Sequence, residues 1–276
     1  MSNILKKFEK MNKEQLDELF KSLNENKNIN WAYIAGWIDG DGCIDVRSKG
    51  GIGFTLKVAD KEPVEMISEL FKCSLSQEKM DPRPIFIKPP KKRYYVSVKG
   101  KKALFLAKKI APFIMEKTKN LYKLLENFEC HEKFPYMDLS DENFINYLIG
   151  FTEAEGCFIF NKERTQYEFT ITNTNLNLLK YLERRLKQLG FFRFKIRTKH
   201  KGGSFFFNKE ATKKIIKRKP CYELRMYGYA VFDFYNLIKD KLVINRKKQK
   251  VLDTLEFLKS YKKLSYKRYM NEKLAL

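Results

Sequence analysis

Two acids one residue apart stand between glycines in GWIDGDGC, where Asp39 and Asp41 fall within residues 36–43, and GFTEAEGC repeats the set at residues 150–157 with Glu153 and Glu155. Carboxylates are hard oxygen donors, and one or two of them, completed by water and phosphate, are what Mg²⁺ requires. The surrounding chain has the opposite sign: 56 Lys and Arg against 33 Asp and Glu give a formal net charge of +23. An EF-hand does not fit, because the third acid and the glycine fall at the wrong spacing. Histidine or thiolate chemistry is poorly supplied, since only His131 and His200 are present and Cys43, Cys73, Cys130, Cys157 and Cys221 are scattered without a C-x-x-C pair. Any metal is therefore expected on oxygen, and the thiols are expected reduced in an intracellular compartment.

The elements that must position these acids occur twice. YIAGWIDGDGCIDV at 33–46 is echoed by YLIGFTEAEGCFIF at 147–160, a period far longer than that of a solenoid, so the chain holds two copies of one domain. Each copy leads into an alternating strand pattern and an amphipathic helix. A second strand region follows, RYYVSVKG in the first half and CYELRMYG in the second, and then two more helices. The expected organisation is an N-terminal helical extension over 1–27, a first repeat over 28–129, a linker over 130–140, and a second repeat with its tail over 141–276. Asn30 and Ser140 are placed to cap the two motif helices.

Gly36 and Gly40, like Gly150 and Ala154, lie four residues apart and so on one helix face, where small residues let two backbones approach. Interior glycine costs about 1 kcal/mol relative to alanine, so close packing of the two helices is the expected compensation. Gly42 and Gly156 are expected to end the helices in the left-handed region. That puts Asp41 and Glu155 at helix C-termini, where the macrodipole makes each carboxylate unfavourable by roughly 0.3–1 kcal/mol. If packing also brings the helix ends together, the two acids repel, and a divalent cation removes the conflict.

At these residues the sequence resembles the LAGLIDADG homing endonucleases in their single-chain, two-repeat form. The motif maps onto residues 34–42 and 148–156, and the resemblance runs from about residue 28 to about 260 by element order. It implies an α+β fold of two pseudo-symmetric αββαββα repeats, with antiparallel β saddles and the motif helices packed at their interface. The implied activity is site-specific, metal-dependent double-strand DNA hydrolysis at a long asymmetric target by an intron-encoded monomer. Asp41 and Glu155, with Gly40 and Ala154 beside them, are then the metal set. Mg²⁺ is the expected cofactor, with Mn²⁺ or Ca²⁺ able to substitute for binding. Asp60 and Asn173 match the polar residue after the second strand of each repeat. Lys117, and either Arg246 or Lys247, match the basic residue entering the last helix. The alternative on the same fold is an intron RNA maturase or a non-cleaving DNA-binding regulator.

A basic surface supports a nucleic-acid partner independently. In FRFKIRTK, residues 192–199, strand alternation puts Phe192, Phe194, Ile196 and Thr198 on the core face and Arg193, Lys195, Arg197 and Lys199 on the other. That face is wholly basic, as a phosphate- or base-contacting strand should be. Arg47, Lys57, Arg93 and Tyr95 in the first half, with Lys162, Arg164 and Arg225 in the second, extend the expected DNA surface. The segment from Lys199 to Pro220 reads as a long basic loop that either orders on DNA or plugs the core with its triple Phe. No apolar run is long enough to span a bilayer, and no membrane partner is expected. The expected compartment is intracellular: a mitochondrion or chloroplast if the gene is organellar, otherwise bacterial cytoplasm.

Overall fold

A computed structural model describes residues 3–6, 9–46, 52–78, 92–132, 139–161, 163, 166–209 and 212–261. The chain divides into two compact units, Met1–Ala154 and Glu155–Leu276. Strands β1 (Asn3–Lys6), β2 (Gly42–Asp45), β3 (Gly53–Val58), β4 (Leu75–Glu78) and β5 (Arg93–Lys99) belong to the first unit, with helices α1 (Lys13–Glu25), α2 (Trp31–Asp41), α3 (Glu62–Phe71), α4 (Lys101–Ile110), α5 (Thr118–Asn127) and α6 (Asp141–Glu155). Helix α6 passes its last residue, Glu155, to the second unit.

The first sheet is antiparallel in the order β1-β4-β5-β3-β2. Alternation sends Phe54, Leu56, Val58, Val96 and Val98 into a core closed by Val64, Ile67 and Phe71 of α3 and by Ala103, Leu106 and Ile110 of α4. The N-terminal extension departs from the all-helical expectation. Residues 3–6 form β1, which pairs with the edge strand β4 and covers its unpaired backbone, and only then does α1 begin. A capping box opens α1: Asn12 Oδ1 accepts from Gln15 N, and Asn12 N donates to Gln15 Oε1, both at 2.9 Å. Phe20 of α1 stacks on Phe105 of α4 at 4.7 Å between ring centroids.

The second unit begins with the end of α6 and contains β6 (Gly156–Asn161), β7 (Gln166–Asn173), α7 (Leu176–Gln188), β8 (Phe194–His200), β9 (Gly203–Lys209), β10 (Thr212–Arg218), β11 (Cys221–Tyr227), α8 (Tyr229–Ile238) and α9 (Asn245–Tyr261). Its main sheet is antiparallel in the order β6-β7-β11-β8. Phe158, Phe169, Ile171, Leu224 and Met226 point to a core shared with Phe234, Tyr235 and Ile238 of α8 and Leu179 and Leu182 of α7. The α+β class and the two αββαββα element orders expected from the sequence are therefore found. The expected basic loop is instead a separate antiparallel hairpin of β9 and β10, in which Phe205–Phe207 oppose Lys214–Ile216. Its runs of Phe and Ile favour a pleated strand over an open loop.

Candidate active site and nucleic-acid face

Asn30 Oδ1 caps α2 by accepting from Tyr33 N at 3.0 Å, and Ser140 Oγ accepts from Asn143 N at 3.3 Å ahead of α6. The two helices meet at glycine. A Cβ on Gly36 would lie 2.1 Å from the Tyr147 carbonyl oxygen, and one on Gly150 would lie 2.0 Å from that of Tyr33. Any side chain there would drive the backbones apart.

The first acid of each motif is turned inward, and each is satisfied across the helix pair. Tyr147 OH of α6 donates to Asp39 Oδ2 of α2 at 2.9 Å. Tyr33 OH of α2 donates to Glu153 Oε2 of α6, and Trp37 Nε1 stands 3.4 Å from the same oxygen. Tyr33 and Tyr147, Gly36 and Gly150, and Asp39 and Glu153 are matching motif positions, so the pairs are related by a local twofold. Both acids are 1% exposed. Burial raises the Asp39 carboxyl, opposed by hydrogen bonds from Met115, Glu116, Lys117 and Tyr147. Burial, reinforced by the Glu153 charge, holds the Tyr33 phenol well above its ordinary range. The signal for this network lay in the sequence: the tyrosine recurs with the acids, three residues before each motif glycine.

The end of α2 is clamped in both directions. Asp39 accepts backbone N–H bonds from Met115 (2.7 Å), Glu116 (3.1 Å) and Lys117 (2.9 Å). In return Lys117 Nζ donates to the carbonyls of Ile38 (2.6 Å), Asp39 (2.6 Å) and Gly40 (3.0 Å). An ammonium on the last carbonyls offsets the macrodipole that disfavours acids there. Asp41 follows as the last, exposed residue of the helix. Gly42 is not left-handed: φ −74° and ψ 151° make it extended, because the chain passes straight from α2 into β2. Gly156 opens β6 in the same way, outside the left-handed set.

In the second unit Lys247 Nζ donates to Gly156 O at 3.0 Å and lies 5.8 Å over the Phe158 ring. Lys117 and Lys247 each stand three residues after a buried isoleucine, Ile114 and Ile244, whereas Arg246 is exposed. Lys247 therefore occupies the second unit's version of the Lys117 position. Glu155 is half-buried beside Ala154. Asp60 and Asn173 do not occupy matching places. Asp60 lies two residues beyond β3, while Asn173 is the last residue of β7, where its Oδ1 accepts from Asn175 N at 2.6 Å. In the ladders Val58 pairs with Tyr94 as Asn173 pairs with Tyr222. Among the described residues no group of three or more His, Cys, Asp or Glu side chains could hold a metal. The acid at each motif helix end matches the one- or two-carboxylate holding of Mg²⁺, with water or phosphate supplying the rest. The Gly40 carbonyl proposed beside Asp41 already accepts Lys117 Nζ.

The outward sheet faces carry most of the expected DNA-contact residues. Lys195, Arg197 and Lys199 are exposed on β8, with Arg225 half-buried on the neighbouring β11. Arg193 is not part of that strand: its φ of +66° breaks the alternation just before β8, and its carbonyl accepts from Tyr227 N at 3.2 Å. Nor is the face wholly basic, because Glu223 and Glu168 sit among the cations. In the first unit Lys57 pairs with Glu78, Arg93 is exposed and Tyr95 half-buried. Cys43 and Cys157, each just after a motif glycine, are exposed on these faces. Arg47, Lys162 and Arg164 lie outside the described residues.

No family model matches the sequence, and no curated protein does either. Among solved structures, the homing endonuclease I-WcaI bound to its DNA recognition sequence is similar over 88% of this chain and 94% of its own, at 15% identity and a TM-score of 0.48. The LAGLIDADG homing endonuclease I-GzeII in complex with a DNA target matches 89% of this chain and 97% of its own, at 14% identity and 0.45. Full-length DUF199/WhiA from Thermatoga maritima matches 94% of this chain and 72% of its own, at 13% identity and 0.41. Identities and scores this low leave function to be argued from the chain's own residues. Solved structures that this chain resembles include LAGLIDADG homing endonucleases and the N-terminal LAGLIDADG domain of a WhiA protein.

Proposed function

We propose that the protein is a site-specific DNA endonuclease that hydrolyses both strands of a long, asymmetric duplex target with divalent metal, acting as a monomer. The observation that carries this reading is the division of labour within each motif. The first acid, Asp39 or Glu153, is buried and fully engaged in helix packing, while the second, Asp41 or Glu155, ends its helix outside that network. Packing accounts for the first pair; the second pair stands at helix C-termini, where the macrodipole disfavours a carboxylate and a bound cation would offset it.

Asp41 and Glu155 would hold the divalent cations, most simply Mg²⁺, which supply an activated water and stabilise the leaving oxygen. Lys117 and Lys247 brace the backbone beside each acid. Their ammonium groups also add positive charge where a phosphate would lie. Asn173, at the end of β7, is the polar group proposed to order water near a scissile phosphate; Asp60, two residues beyond β3, is not its counterpart and takes no such role. The basic sheet faces would grip the duplex, chiefly through its backbone.

The test is cleavage of a randomised or host-gene DNA library with Mg²⁺ by the intact protein, by Asp41→Asn and by Glu155→Gln. Loss of a metal carboxylate should reduce cutting at least about a hundredfold, or leave nicking of one strand. Tight binding of DNA or intron RNA by the intact protein, without cutting under Mg²⁺ or Mn²⁺, would overturn this reading in favour of a regulator or maturase.

A further inference from the structure

We infer that Arg197 reads a guanine in the half of the target bound by the second unit, and that Glu223 is the positioning residue that holds its guanidinium for the task. This rests on the DNA-binding reading above.

Glu223 of β11 faces Arg197 of β8 directly in the ladder. Its side chain is only 5% exposed, and Oε1 accepts from Arg197 Nε at 2.8 Å and from Arg225 Nε at 3.1 Å, with Arg197 Nη2 in ion-pair contact at 2.8 Å. Arg225 also bonds Glu168 through Nη1, at 3.3 Å to Oε1. Arg225 thus has Nε and Nη1 each engaged by a different carboxylate and serves as part of the brace. Arg197 does not: carboxylate contact uses Nε and one N–H of Nη2, and 45% of its side chain remains exposed. The outer edge, Nη1 and the second N–H of Nη2, has no partner among the described residues. That edge is the planar two-donor fork that matches O6 and N7 of guanine in the major groove.

Stability is a weak explanation for this cluster, because a buried ion pair often contributes no more than apolar residues of the same volume. Pre-orientation is a better one. A long, flexible arginine loses conformational freedom when it docks on a base, and holding it beforehand lowers that loss. Lys195 and Lys199, two residues to either side on the same strand, are spaced for contacts flanking the base pair.

The matching positions of the first unit do not repeat the device. Leu56 and Ile171 both pair with their motif glycine, which makes Tyr95 the ladder counterpart of Glu223, Ser97 that of Arg225 and Ser76 that of Arg197. Neutral groups thus stand where the second unit has the carboxylate and its two arginines.

The experiment is selection of bound duplexes from a randomised DNA pool by the full-length protein in Ca²⁺, repeated with Arg197→Lys and Glu223→Gln. Arg197→Lys keeps the charge and the fold but removes the fork. It should reduce the preference for guanine at one base pair about tenfold, leaving the rest of the consensus and the salt dependence unchanged. Glu223→Gln should weaken preference at that same base pair. An Arg197→Lys consensus identical to that of the intact protein would overturn the inference while leaving DNA recognition standing. If the intact protein selects no consensus, the DNA reading fails and takes this inference with it.

Discussion

Asp39 and Glu153 show what a buried carboxylate needs. Each has lost its water and gained donors from the facing helix, and Asp39 gains three backbone N–H groups as well. Removing one donor leaves an acceptor under-satisfied in a dry site. Tyr33→Phe or Tyr147→Phe should therefore cost about 1–3 kcal/mol of stability, measurable by urea unfolding. The phenols give a pH signature too. Burial raises both Tyr33 and Tyr235, so their neutral forms favour the folded state. That stability is fully present below the ordinary tyrosine range and is lost as pH rises above it. An ultraviolet titration should show these two phenols ionising only as the fold is lost, after exposed tyrosines have titrated. Lys117 invites a related comparison. Lys117→Met strips an ammonium from three carbonyls and should lower the melting temperature as well as cutting, because the end of α2 loses its clamp.

Helices α2 and α6 are held by contact that no larger residue permits. Gly36→Ala would gain helix propensity of up to about 1 kcal/mol yet place a methyl 2.1 Å from a backbone oxygen, and the clash should win. We expect net destabilisation of about 1–3 kcal/mol for Gly36→Ala or Gly150→Ala, read as a lower denaturation midpoint at constant slope. Much at this scale was legible beforehand. The glycine spacing announced the close approach, Asn30 and Ser140 announced the helix starts, and the repeated acids marked the helix ends. What escaped depended on partners distant in sequence. Residues 3–6 became a strand because β4 offers an open edge, and β9 and β10 pair only with each other. Arg193 fell outside β8 because a left-handed backbone there breaks the alternation that otherwise predicted its face. Gly42 departs from the expected left-handed turn because a glycine after a helix can open a strand as readily as close a turn.

For the whole molecule, a net charge of +23 overstates the attraction available at any one face. Glu223, Glu168 and Glu78 each engage a cation that the sequence alone would assign to phosphate. If the protein neutralises 6–10 phosphates, its affinity for duplex DNA should fall by about 10³–10⁵ between 50 and 200 mM salt. A filter-binding series across that range would measure the number directly, and a flat profile would argue against a phosphate-gripping surface.

The two exposed cysteines have a practical consequence. Cys43 and Cys157 follow the motif glycines at matching positions, while the other three thiols are half-buried, and burial pushes the Cys73 thiol up. With Cys73, Cys130 and Cys221 changed to serine, nitroxide labels on the remaining pair would form a molecular ruler with one mark on each sheet. Its reading, taken with and without duplex, would show whether the protein meets its target as a rigid clasp or closes upon it.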